Sequence, residues 1–198
     1  MNKNILLSAL LMLSVSAFAQ KHYTLQSPDK DITVTVEVGE QILYSVTHGN
    51  TCVLAPSAIG MKLTDGTMLG VKPAVKSVKT RSVNQNVDAP FYKRALIPEV
   101  YEELTLILKG NYKVVFRAYD EGVAYRFVTD FKKNIIVENE TADFNFDADY
   151  QGVIPYVLRR AGQEGNLISQ QFYNSFENTY THTSLSQMDP EKLAFLPL

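Results

Sequence analysis

Several residue types are scarce or absent in this chain of 198 residues, and each absence excludes a class of protein. There is no tryptophan, which counts against a strong platform for stacking sugars, because the indole ring offers the largest stacking face. The single cysteine, Cys52, excludes an intramolecular disulfide. The formal net charge is -2 and no basic block occurs, so we expect no nucleic-acid partner.

Helical periodicity is also missing, and strand alternation takes its place. Residues 101–127 form three consecutive runs of alternating apolar and polar side chains, joined by glycine-containing turns at 109–111 and 120–122. Alternation of this kind is typical of half-buried antiparallel strands joined by hairpin turns. The side chains predicted to face inward are Leu104, Leu106, Leu108, Tyr112, Val114, Phe116, Ala118, Val123, Tyr125 and Phe127.

Shorter strand patterns fill most of the remaining chain. Residues 32–38 and 41–47 predict a hairpin, 51–55 and 58–63 two further strands, and 134–138 and 143–146 two more. Residues 72–88 indicate one or two edge strands and a loop, and 150–178 an irregular loop. We expect Cys52 to be a small buried residue within its strand. Many short strands separated by turns predict an all-β fold, a large antiparallel sandwich in one domain.

The first 19 residues have the three zones of a secretory signal peptide. Lys3 supplies the positive start, an apolar stretch follows over residues 5–15, and Ala17-Phe18-Ala19 precedes Gln20 as a cleavage site. The alternative is a membrane anchor, but the apolar stretch is short for a hydrocarbon core of roughly 30 Å. We therefore expect a cleaved signal peptide over 1–19, a periplasmic or secreted protein, and no membrane span after cleavage.

Three motifs together resemble one protein family. They are Ser27-Pro28-Asp29, Tyr101-x-Glu103-Leu104, and Phe116-Arg117-x-Tyr119-Asp120-x-Gly122-x-Ala124-Tyr125-Arg126-Phe127. In order and spacing they are similar to the amino-terminal domain of glycoside hydrolase family 97. The resemblance implies a β-super-sandwich of the galactose-mutarotase-like kind, followed by a catalytic (β/α)8 barrel and a small β domain. It also implies an exported α-glucosidase or α-galactosidase with calcium in its active site.

The resemblance gives this chain no catalytic residue, because the family's catalytic carboxylates lie in the barrel. Glycoside hydrolysis needs two carboxyl groups across the scissile bond. We expect 20–198 to be a sandwich domain incomplete at its C-terminal end and inactive without a barrel in cis. The resemblance also implies that Glu177 donates one oxygen to calcium in a full-length enzyme. One carboxylate is only a fraction of a calcium site, which takes six to eight oxygens.

Polar residues near the C-terminal end are candidate contacts for an α-linked oligosaccharide. Arg160, Asn166 and His182 carry planar hydrogen-bonding groups that suit sugar hydroxyls, although they equally fit an ordinary turn-rich loop. By contrast, we expect Arg117 and Arg126 to be structural and to pair with Glu103 or Asp120. The predicted function is therefore a carbohydrate-binding and barrel-supporting domain. The alternative is a stand-alone carbohydrate-binding or adhesion sandwich.

Overall fold

The computed structural model describes residues 20–157 and 179–194, and this part of the chain is built almost entirely from strands. One turn of 3-10 helix, Leu185–Gln187, is the only helical element in these two ranges, and no helix there is long or apolar enough to cross a bilayer. The strands are β1 (Lys21–Gln26), β2 (Ile32–Val38), β3 (Ile42–His48), β4 (Thr51–Leu63), β5 (Met68–Leu69), β6 (Val75–Asp88), β7 (Leu96–Leu108), β8 (Tyr112–Tyr119), β9 (Gly122–Thr129), β10 (Val137–Ala142), β11 (Gln151–Ile154) and β12 (Thr181–Ser184).

Two antiparallel sheets face each other across one core. The first sheet has the order β1-β2-β3-β4-β10, with β5 beside β4, and the second has the order β6-β7-β8-β9. Strands β11 and β12 form a separate hairpin. Alternate side chains of β2, β3, β7 and β8 fill the space between the sheets. The predicted all-β antiparallel sandwich is confirmed.

The predicted inward positions of β7 and β8 are confirmed, whereas those of β9 are only partly buried. Leu106, Val114 and Phe116 have no exposed surface. Tyr125 and Phe127 pack against the core from β9, which lies at the edge of its sheet and therefore has a neighbour on one side only. Rings from both sheets meet there, with the Tyr44 centroid 5.9 Å from that of Phe116 and 5.5 Å from that of Tyr125. Burial, with the nearby Glu140 carboxylate, raises the pKa of Tyr125 to about 12.

Hydrogen bonds tie the two sheets together at both ends. At one end the amide of Asp29, in the β1–β2 turn, donates to Oδ1 of Asp120 in the β8–β9 turn, at 3.0 Å. The turn itself is held by Ser27, whose hydroxyl accepts the amide of Ile32 at 3.0 Å. At the other end the amide of Gly70 donates to the Tyr112 hydroxyl at 3.2 Å. Two of the three motifs noted in the sequence are thus joined directly in space.

Strand β4 differs from the sequence prediction. Residues 51–55 and 58–63 belong to one strand of 13 residues, not two. The strand absorbs Pro56 through bulges: Tyr44 pairs with Ser57 and Val46 with Leu54, so three steps on β4 oppose two on β3. A bulge accommodates proline because the ladder there needs no amide donor. Cys52, predicted buried, is half-buried, because it lies in the irregular first part of this strand.

Other strand boundaries differ from those predicted, because they depend on pairing with strands far away in the sequence. Of the one or two edge strands and a loop predicted over residues 72–88, the structure has one edge strand, β6, which begins at Val75 and fills the rest of the range. The strand predicted at 134–138 lies at Val137–Ala142, where it pairs with β4. Residues 143–146 make one bridge instead of a strand: Asn145 pairs with Ala55, and its side chain donates to the carbonyl of Pro56. The bulge in β4 prevents a regular ladder there. No strand was predicted at β1, β5 or β12, and β11 lies within the range 150–178 that was predicted as irregular loop.

Replacement of Gly70 by alanine tests how closely β5 approaches β4. Gly70 has φ of +88°, and a Cβ there would lie 2.7 Å from the carbonyl oxygen of Ile59. We expect Gly70→Ala to lower the free energy of unfolding by about 3 kcal/mol, since the clash adds to backbone strain of about 1 kcal/mol. Urea unfolding measures the difference.

Gly66→Ala is the matched control, because Gly66 has nearly the same φ, +86°, and nothing within 4 Å of the added Cβ. It carries the strain without the clash, so we expect a loss of about 1 kcal/mol. Equal losses in the two variants would show that the close approach contributes nothing.

Candidate functional site

An ion-pair cluster around one buried carboxylate lies on the outer face of the second sheet. Glu103 of β7 is only 6% exposed, although its side chain points away from the core. Arg81 of β6 holds it with two bonds, from Nε to Oε1 at 2.7 Å and from Nη2 to Oε2 at 3.0 Å. Arg117 of β8 donates from Nε to Oε2 at 2.9 Å. The register places Glu103 directly opposite both arginines, so the cluster follows from strand pairing.

Arg117 is fixed on its other sides by aromatic and acidic groups. Its guanidinium carbon lies 4.2 Å from the centroid of the Tyr101 ring, a cation–π contact. Its Nη1 donates to Glu99 at 3.3 Å and to the Tyr119 hydroxyl at 3.4 Å. The predicted pairing of Arg117 with Glu103 is confirmed. The predicted pairing of Arg126 is wrong for the described residues, where Arg126 is exposed without an ion pair.

This cluster has the chemistry of a structural tie and not of a reacting centre. Burial by itself raises the pKa of Glu103, but the hydrogen bonds and charges of Arg81 and Arg117 outweigh it and hold the pKa below its ordinary value. The carboxylate therefore stays ionised, with both oxygens occupied. Arg81 was not predicted to pair, because its partner becomes evident only when residues 75–88 are recognised as one strand in register with β7.

The β11–β12 hairpin carries His182, the one candidate sugar-binding residue within the described ranges. His182 lies opposite Val153 in the ladder and is exposed. Ile154 pairs with Thr181, so the segment 158–178 leaves and rejoins the described chain at one end of this hairpin. The other candidates, Arg160, Asn166 and Glu177, belong to that segment and lie outside the described residues. Their roles stay predictions.

Polar contacts hold the base of this hairpin in place. Asp149 accepts the amide of Ser186 at 2.8 Å and its hydroxyl at 2.7 Å, which lowers the pKa of Asp149. The Tyr156 hydroxyl accepts the amide of Asp189 at 2.8 Å. Ile154 and Val157 are buried, so apolar packing supports the same region. These contacts hold the residues that flank β11 and β12 together. Nothing in the local sequence pattern marks Asp149 as the anchor, because its partner lies 37 residues away.

Calcium has no complete donor set among the described residues. No group of three or more His, Cys, Asp or Glu side chains lies close enough to hold a metal in 20–157 and 179–194. Since calcium takes six to eight oxygens, Glu177 would need partners from elsewhere in a longer protein.

An open cleft of about 570 Å³ lies where the β8–β9 turn faces the start of β7. Arg94, Pro98 and Val100 form one wall, and residues 119–124 form the other. Two carboxylates line it, Asp120 and Glu121, and Asp120 already accepts the amide of Asp29. His182, the candidate sugar-binding residue within the described ranges, is not among the lining residues.

Comparison with known proteins gives one consistent result. The family profile described as Glycosyl-hydrolase 97 N-terminal matches residues 25–198. A retaining alpha-galactosidase of Bacteroides thetaiotaomicron is 38% identical over 198 residues, which is 100% of this chain and 30% of that protein. The chain thus spans less than a third of that relative.

Solved structures agree on the fold. A glycoside hydrolase family 97 enzyme from a Pseudoalteromonas species, in complex with panose, superimposes with a TM-score of 0.65 at 22% identity, over 83% of this chain and 25% of that one. The same kind of enzyme with acarbose gives 0.64 at 22% identity, over 81% and 24%. A beta-arabinopyranosidase gives 0.65 at 20% identity, over 80% and 26%.

Replacement of Glu103 by glutamine tests the ion-pair cluster. The amide keeps the shape but leaves Arg81 without its counter-charge and Arg117 with Glu99 alone, so we expect the free energy of unfolding at pH 7 to fall by about 2 kcal/mol. Because the pKa of Glu103 is lowered in the folded state, the stabilisation is present above the ordinary value of 4.5 and is lost as pH falls below it. Thermal unfolding from pH 7 to pH 3 should therefore show the two proteins converging.

Glu102→Gln is the matched control on the same strand. Its carboxylate accepts only the exposed Ser82 hydroxyl, at 2.6 Å, and we expect a change within about 0.5 kcal/mol. A difference between wild type and Glu103→Gln that stays constant with pH would contradict the ion-pair account.

Proposed function

The chain belongs to glycoside hydrolase family 97 as its amino-terminal domain, and from this premise we propose that it is the non-catalytic sandwich of an exported α-glycosidase, supporting a catalytic (β/α)8 barrel in the same polypeptide. The proposal rests on how small a share of its relative this chain accounts for. The family match runs over residues 25–198, yet the chain accounts for 30% of the length of its α-galactosidase relative. The reaction then depends on residues beyond this domain.

The chemistry of the described residues supports a non-catalytic role. Glycosidases place two carboxyl groups roughly 5 to 9.5 Å apart, one of them able to give up a proton to the leaving group. The two carboxylates of the outer face, Glu99 and Glu103, share Arg117 and are ion-paired. Asp149 and Asp120 are likewise occupied by backbone amides. None of these four is poised to protonate a glycosidic oxygen.

The substrate of the complete protein is, in this proposal, an α-linked oligosaccharide. The relative that is 38% identical is a retaining alpha-galactosidase, which makes α-galactosides the first substrates to test. The complexes of more distant enzymes with panose and acarbose make α-glucosides the second choice. Arg160, Asn166 and His182 would contact the sugar. Support for His182 is its exposed position on the hairpin from which the segment 158–178 departs.

Two further elements complete the proposal. Glu177 would donate one carboxylate oxygen to a calcium ion whose remaining ligands belong to the barrel, and the ion would supply positive charge next to the sugar. Residues 1–19 would direct the protein out of the cytoplasm and be removed before Gln20.

The product of the complete gene should hydrolyse an aryl α-galactoside or α-glucoside, while residues 20–198 produced alone should show no turnover above the uncatalysed rate. The expected difference follows from the need for two free carboxyl groups. Release of the chromogenic phenol at equal protein concentrations measures it. Hydrolysis by residues 20–198 would overturn the non-catalytic assignment. Glycan binding by a gene product without α-glycosidase activity would instead establish a stand-alone binding module.

Glu177→Gln in the complete protein should weaken calcium binding by at least about tenfold. Even changes of residues that only support the ligands of a metal cost about this much affinity. Calorimetric titration of the chelator-treated protein measures the affinity directly, without relying on activity. Glu164→Gln, in the same segment, is the control and should leave the affinity unchanged. Equal affinities in the two variants would remove Glu177 from the site.

A further inference from the structure

The distal half of the β6–β7 hairpin extends past the sandwich as a two-stranded arm, which we define as residues 83–101. Strand β8 pairs with β7 only from Glu102 onward, so residues 96–101 have a partner in β6 alone. The strands stay in register to the end, where the amide of Ala89 donates to the carbonyl of Ala95 at 2.8 Å. A ribbon of two strands is marginally stable in water without a packed face.

The outer part of this arm exposes apolar side chains on both of its faces. Val87 and Ile97 lie opposite each other on one face, and Leu96 lies on the other, 52% exposed. Phe91, at the tip, is fully exposed, and Tyr92 beside it is 64% exposed. Exposed apolar groups gathered in one place mark an interaction surface. Because they occupy both faces of a narrow ribbon, a recess that receives the tip covers them better than a flat surface does.

The arm stands at the end of the sandwich that carries the β1–β2, β3–β4 and β8–β9 turns. The β8–β9 turn is beside the base of the arm, and Asp120 in that turn is bonded to Asp29 of the β1–β2 turn. The β3–β4 turn is next along this end, since the amide of Gly49 donates to the carbonyl of Asp31. After β10 the chain runs toward the same end, where Asn145 pairs with Ala55 in the first part of β4.

Exposed aromatic side chains are concentrated in two parts of the chain. Those in the described ranges lie either on the arm or in the stretch that follows β10: Phe91, Tyr92, Phe144, Phe146, Tyr150 and Tyr180. Aromatic residues are enriched in the cores of protein interfaces. The opposite end exposes aliphatic side chains, such as Val71 and Ile136, and has Lys21, Lys72 and Lys109 around a cavity of about 310 Å³. The end that carries the arm is therefore the one suited to contact another protein surface.

We propose that the arm clamps the catalytic part of the same polypeptide, with Phe91, Leu96 and Ile97 entering an apolar recess on that part. This rests on the proposed function, because it presupposes a complete protein with a catalytic part. Support for an occupant in cis comes from length and direction. About 70% of the α-galactosidase relative lies outside the match, and the arm stands at the end of the sandwich to which the stretch after β10 also runs. A contact in cis also needs no second molecule, so its effective concentration is high.

Limited proteolysis of the complete protein tests the clamp. Trypsin cuts after Lys93 and Arg94, both at the tip, so a docked arm should resist cleavage. Leu96→Ser and Phe91→Asp should each accelerate cleavage at the tip about tenfold or more, since cleavage follows the population of the open form. Neither side chain is buried within the domain, so neither change should unfold the sandwich. Ile136→Asp, an exposed apolar residue at the other end, is the matched control and should leave the rate unchanged.

Light scattering and activity, measured on the same samples, separate the outcomes. Protection in a monomer supports the clamp. Protection that appears only in a dimer assigns the arm to a second copy and overturns the proposal, as do rapid cleavage of the wild type or equal rates in all variants. If α-glycosidase activity is present while the arm is unprotected, only the clamp fails. If activity is absent, the proposed function fails whatever the arm does.

Discussion

Strand β7 (Leu96–Leu108) and its two-residue period are the constraint on which the core, the ion-pair cluster and the arm all depend. Leu104, Leu106 and Leu108 face the first sheet and form the centre of the core. The intervening positions face the other way, so Tyr101 and Glu103 must lie on the outer surface. A slip of one residue would put Glu103 into the core and three leucines into water, and this penalty fixes the register.

The buried charge on the outer face reinforces that register instead of adding much net stability. Removing a carboxylate from water is costly, and two arginines offset the cost only when their geometry is good. Glu103 meets Arg81 from one neighbouring strand and Arg117 from the other, so both ladders must be in place before it is satisfied. A slipped pairing of β6 or β8 would leave this carboxylate buried and unpaired. The cluster therefore forms only when all three strands are paired in the correct register.

The sequence predicts the local features of this fold well and the long-range ones poorly. Alternation identified β2, β3, β8 and the inward faces, because a two-residue period is visible within a few residues. It divided β4 at Pro56 because a bulge is set by the partner strand, and it misplaced β10, whose bounds depend on β4. For the same reason Arg81 escaped notice, although Arg117 and Glu103 lie close enough in one meander to suggest a pair. Of the candidate site residues, only His182 falls in the described chain, and its exposed position follows from a pairing with β11 that lies 29 residues away.

The motifs that carry the family resemblance lie where strands and sheets are tied together. Asp29 and Asp120 join the two sheets, while Glu103 and Arg117 join two strands, and Tyr125 packs between sheets. Such residues identify the scaffold, because their positions are demanded by the geometry of this sandwich. A scaffold hosts different chemistries, so its residues say little about the sugar or the reaction. This explains why the chain's membership of the family is well determined by 174 matched positions, 25–198, while the choice of substrate is not. In the function proposed above, the residues of this domain that would contact the sugar are His182 on β12 and the candidates in the segment 158–178, none of which belongs to these motifs.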